Sequence, residues 1–274
     1  MPDSTVLHTG KFDTHTEVIS NEEVAQDHYL LYCTCPEIAE SALPGQFVHV
    51  LISGDSGLLL RRPFTIYSTH DTQISMLYQV TGEGTAALAQ MRSGAPIQVL
   101  GPLGKAFHIP PRIEAAILVG GGAGIASLML LAVELKEAGV RTLGLVGAIN
   151  RARLLSVSDL RRIDVETHIA TDDGSVGHHG FVTEILGGIL ERPQKHSLGN
   201  PGIYACGPHG MLNAVTKMVL SHNAPTQLAM ENRMGCALGV CLGCVCRVRT
   251  TTGEVEYQRV CTEGPVFNAE DIVW

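Results

Sequence analysis

From Ala115 to Val133 the chain carries no charged side chain, and a run of that length must either cross a bilayer or be folded back on itself inside a protein. The order of residues decides between these. AAILV is a short aliphatic run, three consecutive glycines follow it, and the sequence then resumes with good helix formers and closes on the charges of ELKE. This reads as a strand, a tight turn and a helix. It excludes a membrane span and makes a parallel α/β sheet the expected centre of the fold.

The same pattern recurs around it. From Ile113 to about His222, buried strand runs (AAILVGG, TLGLVGA, VETHIAT, GIYACG) alternate with helical segments (SLMLLAVELKEAG, FVTEILGGIL, HGMLNAVTKMVLS), as crossover connections between parallel strands require. Before it, from Val6 to about Arg112, short alternating segments such as HYLLYCTC, QFVHVLIS, ISMLYQV and PIQVLG are broken by Pro, Gly or Asp, which predicts an antiparallel barrel. From about Asn223 the chain becomes a small cysteine-bearing module. The expected fold class is therefore multidomain, β plus α/β, with an antiparallel β-barrel at 1–111, a parallel-sheet nucleotide-binding domain at 112–223 and a small third domain at 224–274.

That third segment reads MGCALGVCLGCVCRV, and five of the eight cysteines fall between positions 236 and 261. The N-terminus lacks the basic start and apolar stretch of a secretory signal, so a reducing, cytoplasmic setting is expected and disulfides are disfavoured. Crowding then points to a metal centre. Cys236, Cys241, Cys244 and Cys261 form C-x4-C-x2-C-x16-C, whose opening is the plant-type spacing for a 2Fe-2S cluster. Gly235, Ala237, Gly239 and Gly243 are small enough for the loop to curl and present N–H groups to sulfur. Structural zinc sites more often use two C-x2-4-C knuckles; zinc stays open as the weaker alternative, and Cys246 is left over.

Two further stretches suit phosphates. LLLRRPFTIYS (Leu58 to Ser68) pairs arginines that suit a diphosphate with nearby hydroxyls that suit a planar ring, Arg62 offering a forked donor. TGEGTAAL (Thr81 to Leu88) is a glycine-bounded turn opening a helix, where free N–H groups receive an anion. VGGGAG (Val119 to Gly124) lies between strand and helix as a dinucleotide loop does, though its spacing is not G-x-G-x-x-G. TDDGSVGHHG and YACGPHGM end predicted strands, where open α/β sheets bind ligands. GDSG at Gly54 to Gly57 reads as a hairpin turn, His178 and His179 as solvated loop residues, and Cys33 and Cys35 as small barrel-wall residues. A formal charge of −8 with only 19 Lys and Arg argues against a nucleic-acid surface.

Taken in order, RPxT, GEGT, GGGxG, TDDGS, ACGP and C-x4-C-x2-C...C resemble the ferredoxin-NADP reductase superfamily across nearly the whole chain, and within it the electron transfer subunits of class 1B dihydroorotate dehydrogenases. The resemblance implies a barrel that binds FAD, an α/β domain that binds NAD(H), and a 2Fe-2S domain facing a partner. It places Arg62, Pro63, Phe64 and Thr65 at the flavin, Arg62 on its pyrophosphate and Thr65 near the isoalloxazine. It also assigns Gly82, Gly84 and Thr85 to the second phosphate turn, Gly121, Gly122 and Gly124 to the nicotinamide nucleotide loop, Cys206, Gly207 and Pro208 to the segment beside the nicotinamide, and Cys236, Cys241, Cys244 and Cys261 to the cluster. The implied partner is an FMN-containing catalytic subunit that oxidises dihydroorotate to orotate in pyrimidine biosynthesis, joined in a heterotetramer. General acid and base for that oxidation would lie on the partner.

Two departures from the superfamily pattern stand out. Ala123 and Ser127 occupy the threonine and proline places of GGGTGIAP, and Phe64 stands where tyrosine is frequent. Arg151 and Arg153, after the second predicted strand, suit a 2′-phosphate and leave NADH against NADPH to the resemblance. Two rivals remain: the flavin subunit of an NADH-dependent ferredoxin-NADP oxidoreductase or a sulfide dehydrogenase, and a zinc-stabilised binding module without redox role, which has no use for two phosphate motifs.

Overall fold

The structure is a computed structural model that describes residues 10–52, 57–111, 113–192, 198 and 201–274. Of the GDSG turn only Gly57 falls within these, and the rest of that expectation lies outside the described residues.

The first third forms one antiparallel sheet curled on itself. Its strands are β1 (Phe12–Ala25), β2 (His28–Thr34), β3 (Phe47–Ile52), β4 (Arg62–Thr65), β5 (Ser68–His70), β6 (Gln73–Gln79) and β7 (Pro96–Leu103), in the order β4-β3-β7-β1-β2-β6-β5. β1 is long enough to pair with β7 through its first half and with β2 through its second. Alternate residues point inward, as the period of two requires: Leu31 and Cys33, Val48 and Val50, Ile74 and Met76, Ile97 and Val99 share one core. Phe64 on β4 meets Tyr78 on β6 with ring centroids 5.4 Å apart, bringing the two ends of the sheet together. Cys33 and Cys35 are buried in this core.

The middle of the chain is doubly wound. β8 (Ala115–Gly121), β9 (Arg141–Ala148), β10 (Glu166–Thr171), β11 (His178–His179), β12 (Gly202–Cys206) and β13 (Thr226–Ala229) are parallel and ordered β11-β10-β9-β8-β12-β13. Every residue of β8 is buried, because helices cover both of its faces. Ile117 and Val119 face the helices Val182–Glu191 and His209–Ser221, while Ala116 and Leu118 face the helix Met129–Glu137. Among the described residues no helix is long and apolar enough to cross a membrane, so the uncharged run is divided between β8, a 3-10 turn over Gly122–Leu128 and the start of the helix.

The sheet extends past residue 223, the limit read from periodicity. β13 is a four-residue strand, too short for a period to register, and it pairs with β12. The chain then forms the cysteine loop and the hairpin of β14 (Val245–Arg249) and β15 (Val255–Arg259), and β16 (Val266–Asn268) returns to add an antiparallel edge beside β13. The last segment therefore shares the nucleotide domain's sheet, and its Ala237, Val260 and Ile272 pack in the same core as Phe47 and Leu228.

Candidate functional site

Two cavities lie at the C-terminal edge of the parallel sheet, where strands end and backbone donors are free. One, of about 640 Å³, is floored by Gly121, Gly122 and Gly124 and walled by Asp172, Pro208 and Met211. The other, of about 540 Å³, runs along β4 and reaches Cys206, Asn232 and Met234. Ala123, Gln79 and Glu231 line both, so the two lie side by side.

The glycines of the first cavity are demanded by close packing. A Cβ on Gly124 would stand 2.6 Å from the Cys206 carbonyl and the Gly207 nitrogen, and one on Gly121 would meet Met211 at 2.5 Å and Pro208 at 3.0 Å. Only glycine lets the loop after β8 lie against the segment after β12, which brings Gly121, Gly124, Cys206, Gly207 and Pro208 together. Gly122 has a left-handed φ of 53° with open space around its Cα. A nucleotide fits such a wall of unscreened backbone.

In the second cavity the two arginines divide their work. Arg61 is committed to the barrel, pairing with Asp13 at 3.0 Å and donating to the carbonyls of His49 and Gln98. Arg62 instead lies over the Thr81–Thr85 turn, where a Cβ on Gly84 would collide with its guanidinium. Thr85 builds that turn: its Oγ1 accepts from the N–H groups of Thr81 and Gly82 at 2.8 and 3.1 Å. Pro63, Phe64 and Thr65 line the same cavity, and Gly82 stands at the turn with nothing within 4 Å of its Cβ position. A planar ligand with a diphosphate tail suits a slot with a guanidinium at one end and hydroxyls at the other.

Ser127, noted as a departure, has a partner: its hydroxyl is 2.8 Å from Thr65 Oγ1, joining the dinucleotide loop to the barrel. The Cys206 thiol faces Glu231 at 3.8 Å, and burial raises its pKa. Glu231 opens onto the cavities, and partial loss of water raises its pKa too. Sequence reasoning passed over Glu231 because it sits in no motif; the signal was its place directly after a strand, at the sheet's C-terminal edge.

Beyond Glu231 the cysteine loop curls through three left-handed residues, Ala237, Gly239 and Leu242. The curl aims backbone donors at sulfur: Cys236 accepts from the N–H groups of Leu238 and Cys241, and Cys241 from that of Gly243, each at 3.4 Å. These donors pull the Cys236 thiol down to about 6, toward the thiolate a metal needs. Cys244 and Cys261 are buried partners whose mutual contact and burial push Cys261 up to about 11. The four thiols thus form two pairs, and among the described residues no three His, Cys, Asp or Glu side chains meet at one point. Two pairs suit the two irons of a 2Fe-2S cluster, each iron taking two thiolates. Arg259 braces the loop by donating to the Gly239 carbonyl at 3.0 Å while paired with Glu263. Cys246 lies half-buried on β14, packed against the core that holds Cys244 and Cys261, and burial raises its pKa to about 11. His178 and His179 are exposed; His178 pairs with Glu184 at 2.6 Å.

Known proteins share the fold and the sequence of this chain. The NADH-dependent reduced ferredoxin-NADP oxidoreductase structure superposes with a TM-score of 0.81 at 27% identity, covering 94% of this chain and 90% of that one. A ferredoxin reductase of carbazole 1,9a-dioxygenase, at 20% identity and a TM-score of 0.68, covering 80% of this chain and 68% of its own, shares the fold. Residues 231–273 match the iron-sulfur cluster binding domain of dihydroorotate dehydrogenase B. The electron transfer subunit of dihydroorotate dehydrogenase B (NAD(+)) from Geobacillus kaustophilus is 38% identical over 93% of this chain and 96% of its own, and that from Desulforamulus reducens is 33% identical over 94% and 97%. With identity at this level over nearly the full length of both chains, this protein belongs to the family of dihydroorotate dehydrogenase B electron transfer subunits.

Proposed function

We propose that this chain carries electrons between a dihydroorotate-oxidising partner and NAD+, with FAD along β4, NAD(H) over the glycine loop and a 2Fe-2S cluster in the cysteine loop. The observation that carries the reading is adjacency: the two cavities share Gln79, Ala123 and Glu231 in their walls, and the cysteine loop begins five residues beyond Glu231 at Cys236. When bound, the flavin and the cluster supply the exchange between a two-electron hydride and single electrons.

The chain's own residues do the rest. Arg62 and the Thr81–Thr85 turn hold the flavin pyrophosphate, while Thr65, fixed by Ser127, faces its ring. Gly121, Gly122 and Gly124 admit the nicotinamide nucleotide, and Cys206, Gly207 and Pro208 flank its reactive end. Glu231 places a carboxyl between the two cavities, its pKa raised by partial loss of water. Cys236, Cys241, Cys244 and Cys261 are the iron ligands, and the loop's N–H groups offset thiolate charge.

The partner in this reading is an FMN-containing dehydrogenase subunit, two copies of each chain forming a heterotetramer. Leu238, Val240 and Leu242 expose apolar side chains around the cysteine loop, as a docking face for that subunit would. The reading places the chain in a reducing, cytoplasmic setting, where the crowded cysteines stay available as thiolates for the cluster. Replacing Cys241 with Ser should abolish dihydroorotate-driven NAD+ reduction in the reconstituted complex while NADH-to-dye activity persists. Loss of both activities together in FAD-loaded protein would refute the relay.

The rival flavin subunit of a ferredoxin-NADP oxidoreductase shares the fold at a TM-score of 0.81, but full-length identity of 33–38% lies with the dihydroorotate dehydrogenase subunits.

A further inference from the structure

Arg151 and Arg153 follow β9, at the sheet edge where the adenosine half of a dinucleotide would lie once its pyrophosphate meets the glycine loop. An arginine there ordinarily welcomes a 2′-phosphate, yet the two are differently placed. Arg151 turns outward, donating to the Ser175 carbonyl at 3.1 Å. Arg153 lines the cavity, together with Ile149 and Asp172, and among the described lining residues it is the one Lys or Arg. Its guanidinium is already engaged: Nη2 donates to Asp27 Oδ2 at 2.7 Å, across from the nucleotide domain to the β1–β2 turn of the barrel. The geometry of that turn is held independently, since Gln26 N–H donates to the Ala152 carbonyl at 2.9 Å and Asn150 Oδ1 accepts from the Arg153 N–H at 3.1 Å.

We propose that Asp27 is a specificity-determining residue: by pairing with Arg153 it withholds the cation that would bind the 2′-phosphate of NADP(H), and so holds the cavity to NAD(H). The inference rests on reading this cavity as the nucleotide site. Asp172 acts in the same direction, because its carboxylate in the cavity wall repels a phosphate and can accept from a ribose hydroxyl. Asp27 already neutralises the Arg153 guanidinium, so a 2′-phosphate would meet a paired cation with a carboxylate beside it, and its net gain is small.

The test is calorimetric binding of 5′-AMP and 2′,5′-ADP, which differ by the 2′-phosphate, to the full-length FAD-loaded protein. Asp27 has a φ of 60°, a conformation that asparagine tolerates, so Asp27→Asn removes the charge without straining the turn. The wild type should favour 5′-AMP. Asp27→Asn should shift the affinity ratio toward 2′,5′-ADP by roughly tenfold or more, as one freed charge-assisted bond allows. The shift should vanish in Asp27→Asn/Arg153→Ala and shrink as salt rises. An unchanged ratio in Asp27→Asn, or a shift that survives removal of Arg153, overturns the proposal. Should Asp27→Asn lose FAD, Asp27→Gly, equally at ease at positive φ, takes its place with the same expectations. A wild type that binds neither probe would sink the nucleotide-site reading and this inference together, whereas binding of 5′-AMP with an unmoved ratio sinks this inference alone.

Discussion

Gly124→Ala is the sharpest test of how the loop after β8 is held. A Cβ there would stand 2.6 Å from three backbone atoms of Cys206 and Gly207, and ordinary contact begins near 3.4 Å. No side chain can rotate away to relieve this, so loop and strand end must part by about 0.8 Å. Overpacking of that kind costs about 1–3 kcal/mol, which for a protein of this size lowers Tm by roughly 2–5 °C. The displaced segment is the one proposed to flank the nicotinamide, and a misplacement near 1 Å can cost on the order of 100-fold in rate. The assay is stopped-flow reduction of bound flavin by NADH, with melting followed on the same preparation and FAD content fixed by absorbance. Gly122→Ala is the control: its Cβ meets nothing, and only its left-handed φ of 53° opposes the change, at about 1–2 kcal/mol. Wild-type NADH kinetics in Gly124→Ala would refute the claim that this glycine sets the distance between the two segments.

Two other expectations follow from the site. Glu231 has a raised pKa in the fold, so its ionisation opposes folding: its cost is absent below the ordinary carboxylate value of 4.5 and grows as pH climbs through the raised value. Glu231→Gln should therefore melt higher than wild type at neutral pH, with the difference closing below about pH 4.5; equal melting points at pH 7 would count against desolvation of this carboxylate. Arg259→Ala removes the brace on the Gly239 carbonyl and should speed bleaching of the visible iron-sulfur absorbance in air, and an unchanged rate would show that the loop holds itself.

Much of this architecture is legible in the sequence because its signals are local. The glycines between β8 and its helix, the alternation in the barrel and the C-x4-C-x2-C loop each follow from neighbours in the chain, and the structure brings those stretches to adjoining cavities. What escaped depends on pairs far apart. β13 is too short to carry a period, and it exists because β12 and β16 flank it. Ser127 reads as a lost proline until Thr65, from another domain, is seen 2.8 Å away. Arg153 reads as a phosphate ligand until Asp27, 126 positions earlier, is seen to hold it. The division of labour between Arg61 and Arg62 is likewise invisible in the dipeptide, since Asp13 and Gln98 decide it.

The central claim is that cysteine loop, flavin slot and nucleotide cavity form one electron path, and an electron paramagnetic resonance spectrum of anaerobically purified protein, recorded before and after NADH is added, tests it most directly. A rhombic signal of a reduced 2Fe-2S centre that arises only with NADH is the expected result, because it requires all three sites to be filled and joined. Silence with both NADH and dithionite, accompanied by zinc in metal analysis, would contradict the account and return Cys236, Cys241, Cys244 and Cys261 to a structural role.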